Sequence, residues 1–152
     1  MDAPFALSVP IRFSHTDPAG IVYFPNYFDF CNAAVEDLYG RALGIDYAKM
    51  IFEGRRAPPI VRAECDFFAP SQMGDTLELA VLLGKIGRTS IEIEFFGHVG
   101  RILRLKARLV TVHMDLETRR STPIPESLRA RFDAYKAACA GWIPPVKEGT
   151  PA

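Results

Sequence analysis

Apolar residues recur at two different periods along this chain. Tyr27, Phe30, Cys31, Ala34, Leu38 and Ala42 stand at helical spacing, which predicts a helix over residues 26–43. Asp29, Asn32, Glu36 and Asp37 fall mostly off that stripe. Asn26 follows Pro25 and suits a helix N-cap, and Gly44 suits a stop. A short helical piece is expected over 47–52, ahead of a linker rich in Gly, Arg and Pro that ends at Pro59. Beyond Pro59 the period changes to two. Strands are expected over 60–68, 76–86, 89–99 and 102–114, with short connections at Gly87-Arg88 and Gly100-Arg101. Residues 5–13 alternate loosely and read as a first strand, 14–22 read as loop, and 127–140 read as a second amphipathic helix.

The order is therefore strand, long helix, four strands, short helix. Four consecutive antiparallel strands have an apolar face to cover, and the long helix is the available cover. The expectation is an α+β domain of two layers over residues 1–141, followed by a flexible tail at 142–152. A sheet of this length with one helix leaves edges and part of a face open, which points to self-association.

Composition narrows the function classes. The chain has 152 residues, 49% hydrophobic and 24% charged, and a formal net charge of zero. That length suits one domain with a core. The balance gives no broad positive field for nucleic acid or an anionic membrane, so an anionic ligand would need a few local cations. Neither a leader peptide nor an apolar run near the ~20 residues of a membrane span is evident, and the expectation is a cytoplasmic protein. Cys31, Cys65 and Cys139 are odd in number and widely spaced, as expected of reduced thiols. His15, His98 and His113 show no metal-binding spacing with the acids, and glycine-rich nucleotide loops and a Gly-x-Ser-x-Gly elbow are missing.

The densest chemistry lies in His15-Thr16-Asp17-Pro18-Ala19-Gly20-Ile21-Val22-Tyr23-Phe24-Pro25-Asn26-Tyr27. Asp-Pro is a common turn opener, and Asp17 could be no more than that. Gly20, however, lets backbone approach a ligand, and a helix starting near Asn26 turns its unsatisfied N–H groups back toward the loop. A carboxylate beside such groups can act as nucleophile or as base for water while the N–H groups stabilise negative charge on a carbonyl oxygen.

This segment resembles the active-site loop of the hotdog-fold 4-hydroxybenzoyl-CoA thioesterase family. The likeness extends through the helix, Pro59-Ile60-Val61 and Gly87-Arg88-Thr89-Ser90 to about Pro125. The resemblance implies a sheet wrapped around the long helix, with protomers paired into a homodimer, assembled further as a homotetramer, and acyl-CoA bound at the dimer interface. It implies thioester hydrolysis with Asp17 as the catalytic carboxylate and the Phe24 N–H polarising the thioester oxygen. Tyr23, Phe24 and Tyr27 would wall the acyl group, with Asn32, Pro59, Ile60 and Val61 also at the substrate. Arg88, Thr89 and Ser90 would meet the CoA phosphates, although Arg88 also reads as an ordinary hairpin residue. No metal or other cofactor is implied, since coenzyme A is part of the substrate.

His15 departs from the family pattern, where an acid often stands, and could assist proton transfer or line the entrance. Asn32 departs where an acid can meet a para-hydroxyl; an amide there still hydrogen-bonds. Glu36, one turn beyond Asn32, is the rival carboxylate, because other hotdog thioesterases use a helix Glu. The aromatic residues around the loop suit a flat acyl ring. Short or medium aliphatic acyl groups, acyl carried on a protein, and a non-catalytic CoA-binding module stay open alternatives.

Overall fold

The computed structural model describes residues 3–149. Strand β1 spans Ala6–Pro10, and a 3-10 turn at Phe13–His15 follows. Helix α1 spans Pro25–Asp37 and runs into a π-helical turn at Leu38–Ala42; α2 spans Tyr47–Phe52. Then come β2 (Arg56–Ala57), β3 (Ile60–Phe67), β4 (Thr76–Ile86), β5 (Ser90–Val99), β6 (Ile102–Val112), β7 (Met114–Asp115) and β8 (Arg120–Ser121). Helix α3 closes the fold at Glu126–Ala138.

The main sheet is antiparallel with strand order β1-β4-β5-β6-β3, and β2, β7 and β8 form a small second sheet. Each central strand alternates. Leu77, Leu79 and Val81 of β4, Ile91, Ile93 and Phe95 of β5, and Leu105, Ala107 and Leu109 of β6 share one buried face. The α1 stripe of Tyr27, Phe30, Cys31, Ala34 and Val35 packs into the same core. Burying each larger side chain of this set stabilises the fold by roughly 1.5–3 kcal/mol, so the two layers hold each other.

The expected α+β architecture is present: the sheet curls around α1, and α3 seals one end through buried Leu128, Phe132 and Tyr135. The first strand is shorter than expected: it ends at Pro10, Ile11 bonds to the turn at Gly74 and Asp75 ahead of β4, and the chain then turns at Phe13–His15. The helix start also needs correcting. Phe24, not Asn26, is the N-cap residue, and Pro25 takes the first helical position, where its missing N–H costs nothing. Gly44 does end the helical run, at φ +66°. The small β2-β7-β8 sheet was missed, because two-residue strands carry no periodicity.

The two edges of the main sheet differ. β1 has five residues and ends at Pro10. β3 has eight, pairs only with β6, and is exposed along almost its whole length, with Val61 60% and Phe67 49% accessible.

Within the expected tail, Trp142 packs edge-on against Phe96 with ring centroids 5.6 Å apart. Lys147 Nζ stands 4.2 Å over the Phe68 ring, and the Leu103 N–H donates to the Val146 carbonyl at 2.8 Å. This stretch crosses the outer face of the sheet over Ala80, Phe96 and Leu103.

Tyr135 ties α3 to both edge and centre. Its hydroxyl donates to the Val81 carbonyl at 2.6 Å and accepts from the Phe5 N–H at 2.8 Å. Tyr135→Phe strands both partners and should lower the unfolding free energy by about 1–3 kcal/mol in urea titrations. An unchanged midpoint would remove Tyr135 from this role.

Candidate active site

The loop between the 3-10 turn and α1 is a miniature hairpin. Thr16 and Val22 bridge antiparallel, the Asp17 N–H donates to the Ile21 carbonyl at 2.9 Å, and the Gly20 N–H donates to the Asp17 carbonyl at 2.9 Å. Gly20 sits at φ +82°, which the turn requires and which L side chains rarely adopt. Asp17 Oδ1 accepts the Ala19 N–H at 2.9 Å, which fixes the carboxylate's rotamer against its own turn. Asp17 is half-buried and has no ion-pair partner among the described residues. It lines an open hollow with Phe13, Thr16, Gly20 and Met73.

His15 anchors this loop to the helix. Its carbonyl accepts the Tyr23 N–H at 2.9 Å and the Asn26 side-chain amide at 2.8 Å. Asn26 therefore works backward to the loop rather than forward as a cap. The His15 ring is committed elsewhere: Nδ1 accepts the Arg12 N–H at 3.0 Å, and the ring stands edge-on to Phe30 at 5.0 Å. With Nδ1 accepting, the neutral ring carries its proton on Nε2. A second anchor comes from the loop before β4. The Val22 N–H donates to the Ser71 carbonyl at 2.9 Å, and Ile21 bridges Gln72.

Phe24 starts the helix with its N–H donating to no acceptor among the described residues. Pro25 has no N–H, so this donor stands apart from the helical ladder. Phe24 is 57% exposed and Tyr23 51%. Phe24 borders a hollow of about 260 Å³ with Ile21, Val22, Tyr27 and Phe67. Tyr27 is buried, with its ring 5.6 Å from Phe67 and 6.2 Å from Phe30, so it packs in the core while also lining the hollow. Burial raises its phenol, and Ser71 and Arg104 partly offset that.

The remaining candidates fall into two further groups. Asn32 comes together with Pro59 and Ile60 in a hollow of about 220 Å³ that Tyr47 and Met114 complete. Val61 is exposed on the β3 edge. This group shares no lining residue with the hollows at Asp17 and Phe24. Arg88 is exposed at the β4–β5 turn, with Thr89 and Ser90 half-buried beside it. Arg129 of α3 clamps that turn, donating to the Gly87 carbonyl at 2.6 Å and the Arg88 carbonyl at 3.4 Å. Glu36 is exposed, and its charge adds to burial in raising the Tyr47 phenol.

Phe67, Ser71, Met73 and Arg129 were not found from sequence. All act across long separations, and no local pattern marks them. The thiols stay out of the chemistry: burial, then the Asp66 charge, pushes Cys65 up to about 11, and burial raises Cys31 and Cys139 as well.

Gly20→Ala tests the loop's strain. Nothing lies within 4 Å of the added Cβ, so the cost is backbone alone, about 1–2 kcal/mol in urea titrations. A variant as stable as the parent would show that the turn does not demand a left-handed residue.

A family model described as the thioesterase-like superfamily matches residues 11–132. A 1,4-dihydroxy-2-naphthoyl-CoA hydrolase of Synechococcus elongatus is 34% identical over 122 residues, covering 78% of this chain and 88% of that protein. Its counterpart in Rippkaea orientalis is 36% identical over 121 residues, covering 78% and 87%. Among solved structures, a gentisyl-coenzyme A thioesterase superposes with a TM-score of 0.78 at 25% identity, over 84% of this chain and 99% of that one. A 1,4-dihydroxy-2-naphthoyl-CoA thioesterase from Synechocystis shares the fold with a TM-score of 0.77 at 24% identity, over 85% and 95%. The chain belongs to the thioesterase-like superfamily and is a thioester hydrolase on the hotdog fold.

Proposed function

We propose that this enzyme hydrolyses aromatic acyl-CoA thioesters, with Asp17 as the catalytic carboxylate and the Phe24 N–H as the oxyanion donor. The observation that carries the reading is the 16–24 segment itself. It holds a carboxylate free of ion pairs on a fixed turn and, seven residues on, a backbone donor with no acceptor among the described residues. Both are parts that a bare C(=O)–S carbonyl can use. The relatives' names favour hydroxylated aromatic acyl groups, and the aromatic surface of Tyr23, Phe24 and Phe67 suits a flat ring.

Two routes use the same atoms. In one, an Asp17 oxygen attacks the carbonyl carbon, the C–S bond breaks, CoA leaves as thiolate, and water then splits the resulting anhydride. In the other, Asp17 takes a proton from water as that water attacks the carbonyl carbon, and the C–S bond then breaks to release the free acid and CoA thiolate. In both, negative charge builds on the thioester oxygen, where one well-placed donor is typically worth about 3 kcal/mol. A general base adds roughly 10²–10⁴-fold. Thiolate is a good leaving group, so these two contributions go far.

The same reading places Arg88 at the CoA phosphates, where a guanidinium fork can bond two oxygens. The long, exposed β3 edge supports a homodimer in which two copies continue one sheet, assembled further as a tetramer. Such pairing would bring the Asn32, Pro59 and Ile60 group of one copy toward the loop of the other. Unpaired thiols suit a reducing compartment such as the cytoplasm. No helix among the described residues is long and apolar enough to cross a membrane.

The test is thiol release from benzoyl-, hydroxybenzoyl-, dihydroxynaphthoyl- and straight-chain CoA esters by the parent and by Asp17→Asn. The parent should favour the aromatic esters. Asp17→Asn should stay folded, still bind CoA, and lose at least 10²-fold in kcat. Undiminished turnover by Asp17→Asn would end the catalytic assignment. Preference for straight chains would replace the aromatic substrate, and no thiol release by the parent from any ester would leave a CoA-binding module.

A further inference from the structure

One arginine of the main sheet stands outside the strand alternation. Gly97 of β5 pairs with Leu105 of β6 and His98 pairs with Leu103, so Arg104 is the extra residue of a β-bulge. Leu105 packs in the core with α1, whereas Leu103, two residues away, packs with Ala80 and Phe96 in a separate cluster. Bulges of this kind re-aim a side chain. Here the guanidinium lies close enough to Tyr27 for its charge to act on the phenol. Arg104 has no carboxylate partner among the described residues, and its Nε is buried without a hydrogen bond. An unpaired cation and an unbonded buried nitrogen both cost stability, so the placement calls for a reason.

The hydrogen bonds that Arg104 makes outside the sheet ladder all go to one stretch of chain. Its carbonyl accepts the Phe68 N–H at 2.8 Å and the Ala69 N–H at 3.3 Å, and its Nη1 donates to the Pro70 carbonyl. That stretch has no ladder of its own, because β3 ends at Phe67 and β4 begins at Thr76. Phe68, Ala69 and Pro70 nevertheless wall the hollow at Phe24, together with Ile21 and Val22. The next residue, Ser71, accepts the Val22 N–H at 2.9 Å, and Gln72 bridges Ile21. Arg104 therefore connects to the segment that carries Asp17 and Phe24 through the Pro70 and Ser71 carbonyls in turn.

We propose that Arg104 is a positioning residue for the thioester hydrolysis. By gripping the Pro70 carbonyl it fixes the 68–72 stretch, and that stretch holds Ile21 and Val22, which stand in the chain between Asp17 and the Phe24 N–H. This role rests on those given above to Asp17 and to the Phe24 N–H. A guanidinium suits the task, since it stays charged and a charge-assisted hydrogen bond is roughly twice as strong as a neutral one. Misplacing a reacting group by about 1 Å lowers a rate roughly 10²-fold, so a grip on the wall of the site carries kinetic weight without touching the substrate.

Arg104→Ala and Arg104→Lys in the full chain test this, with thiol release from the best ester of the panel and amide hydrogen exchange measured side by side. Arg104→Ala should lose about tenfold or more in kcat. Its Val22 amide should exchange about tenfold faster or more, while the Phe95 and Leu109 amides at the sheet centre keep the parent's rates. Arg104→Lys, which keeps a cationic donor for the Pro70 carbonyl, should recover roughly threefold or more of the lost kcat and slow the Val22 amide again. Asp17→Asn should leave Val22 exchange as in the parent, so a failure of the Asp17 chemistry shows separately from a failure of the grip. Full turnover by Arg104→Ala, Val22 exchange as slow as in the parent, faster exchange spread evenly over the sheet, or a lysine variant no better than the alanine one would each overturn the proposal.

Discussion

One carbonyl oxygen, that of His15, accepts two hydrogen bonds and holds the site together. It takes the Tyr23 N–H at 2.9 Å and the Asn26 side chain at 2.8 Å. Those bonds clamp the residues just before and inside the start of α1 to the residue two before Asp17. The helix cannot shift without moving the carboxylate's turn with it. Such a doubly bonded carbonyl leaves little slack, and reacting groups must be held within fractions of an ångström.

The rest of the architecture serves that clamp. The sheet and α1 fix each other through the core, so the helix start is a rigid reference point. The loop before β4 adds a third attachment through Ser71, whose side chain is fully buried. Asp17 and the Phe24 donor thus sit on one short segment tied at three places, while their surroundings stay open. Those open surroundings lie on the same chain as an eight-residue edge strand that is itself exposed.

Much of this was legible in the sequence, and the limits have physical causes. The α1 stripe and the β4, β5 and β6 alternation were readable because each element is amphipathic over many residues. The turn at Asp17 was readable because its chemistry, Asp-Pro-Ala-Gly, is local. The helix start was misplaced by two residues: Asn26 looked like a cap, but its amide has a better partner in His15, which only the folded loop brings near. Arg129 and Ser71 were invisible for the same reason, since each meets its partner across more than forty residues. His113 is buried with its Nε2 unpartnered among the described residues, which no local pattern marks.

The central claim is that a free backbone donor at the start of α1 polarises the carbonyl that Asp17 acts on. Infrared or Raman spectroscopy of benzoyl-CoA labelled with ¹³C at the carbonyl and bound to Asp17→Asn, which holds the ester uncut, measures this directly. The account predicts a carbonyl stretch lower than that of the same ester free in water. A stretch at or above the value in water would contradict it.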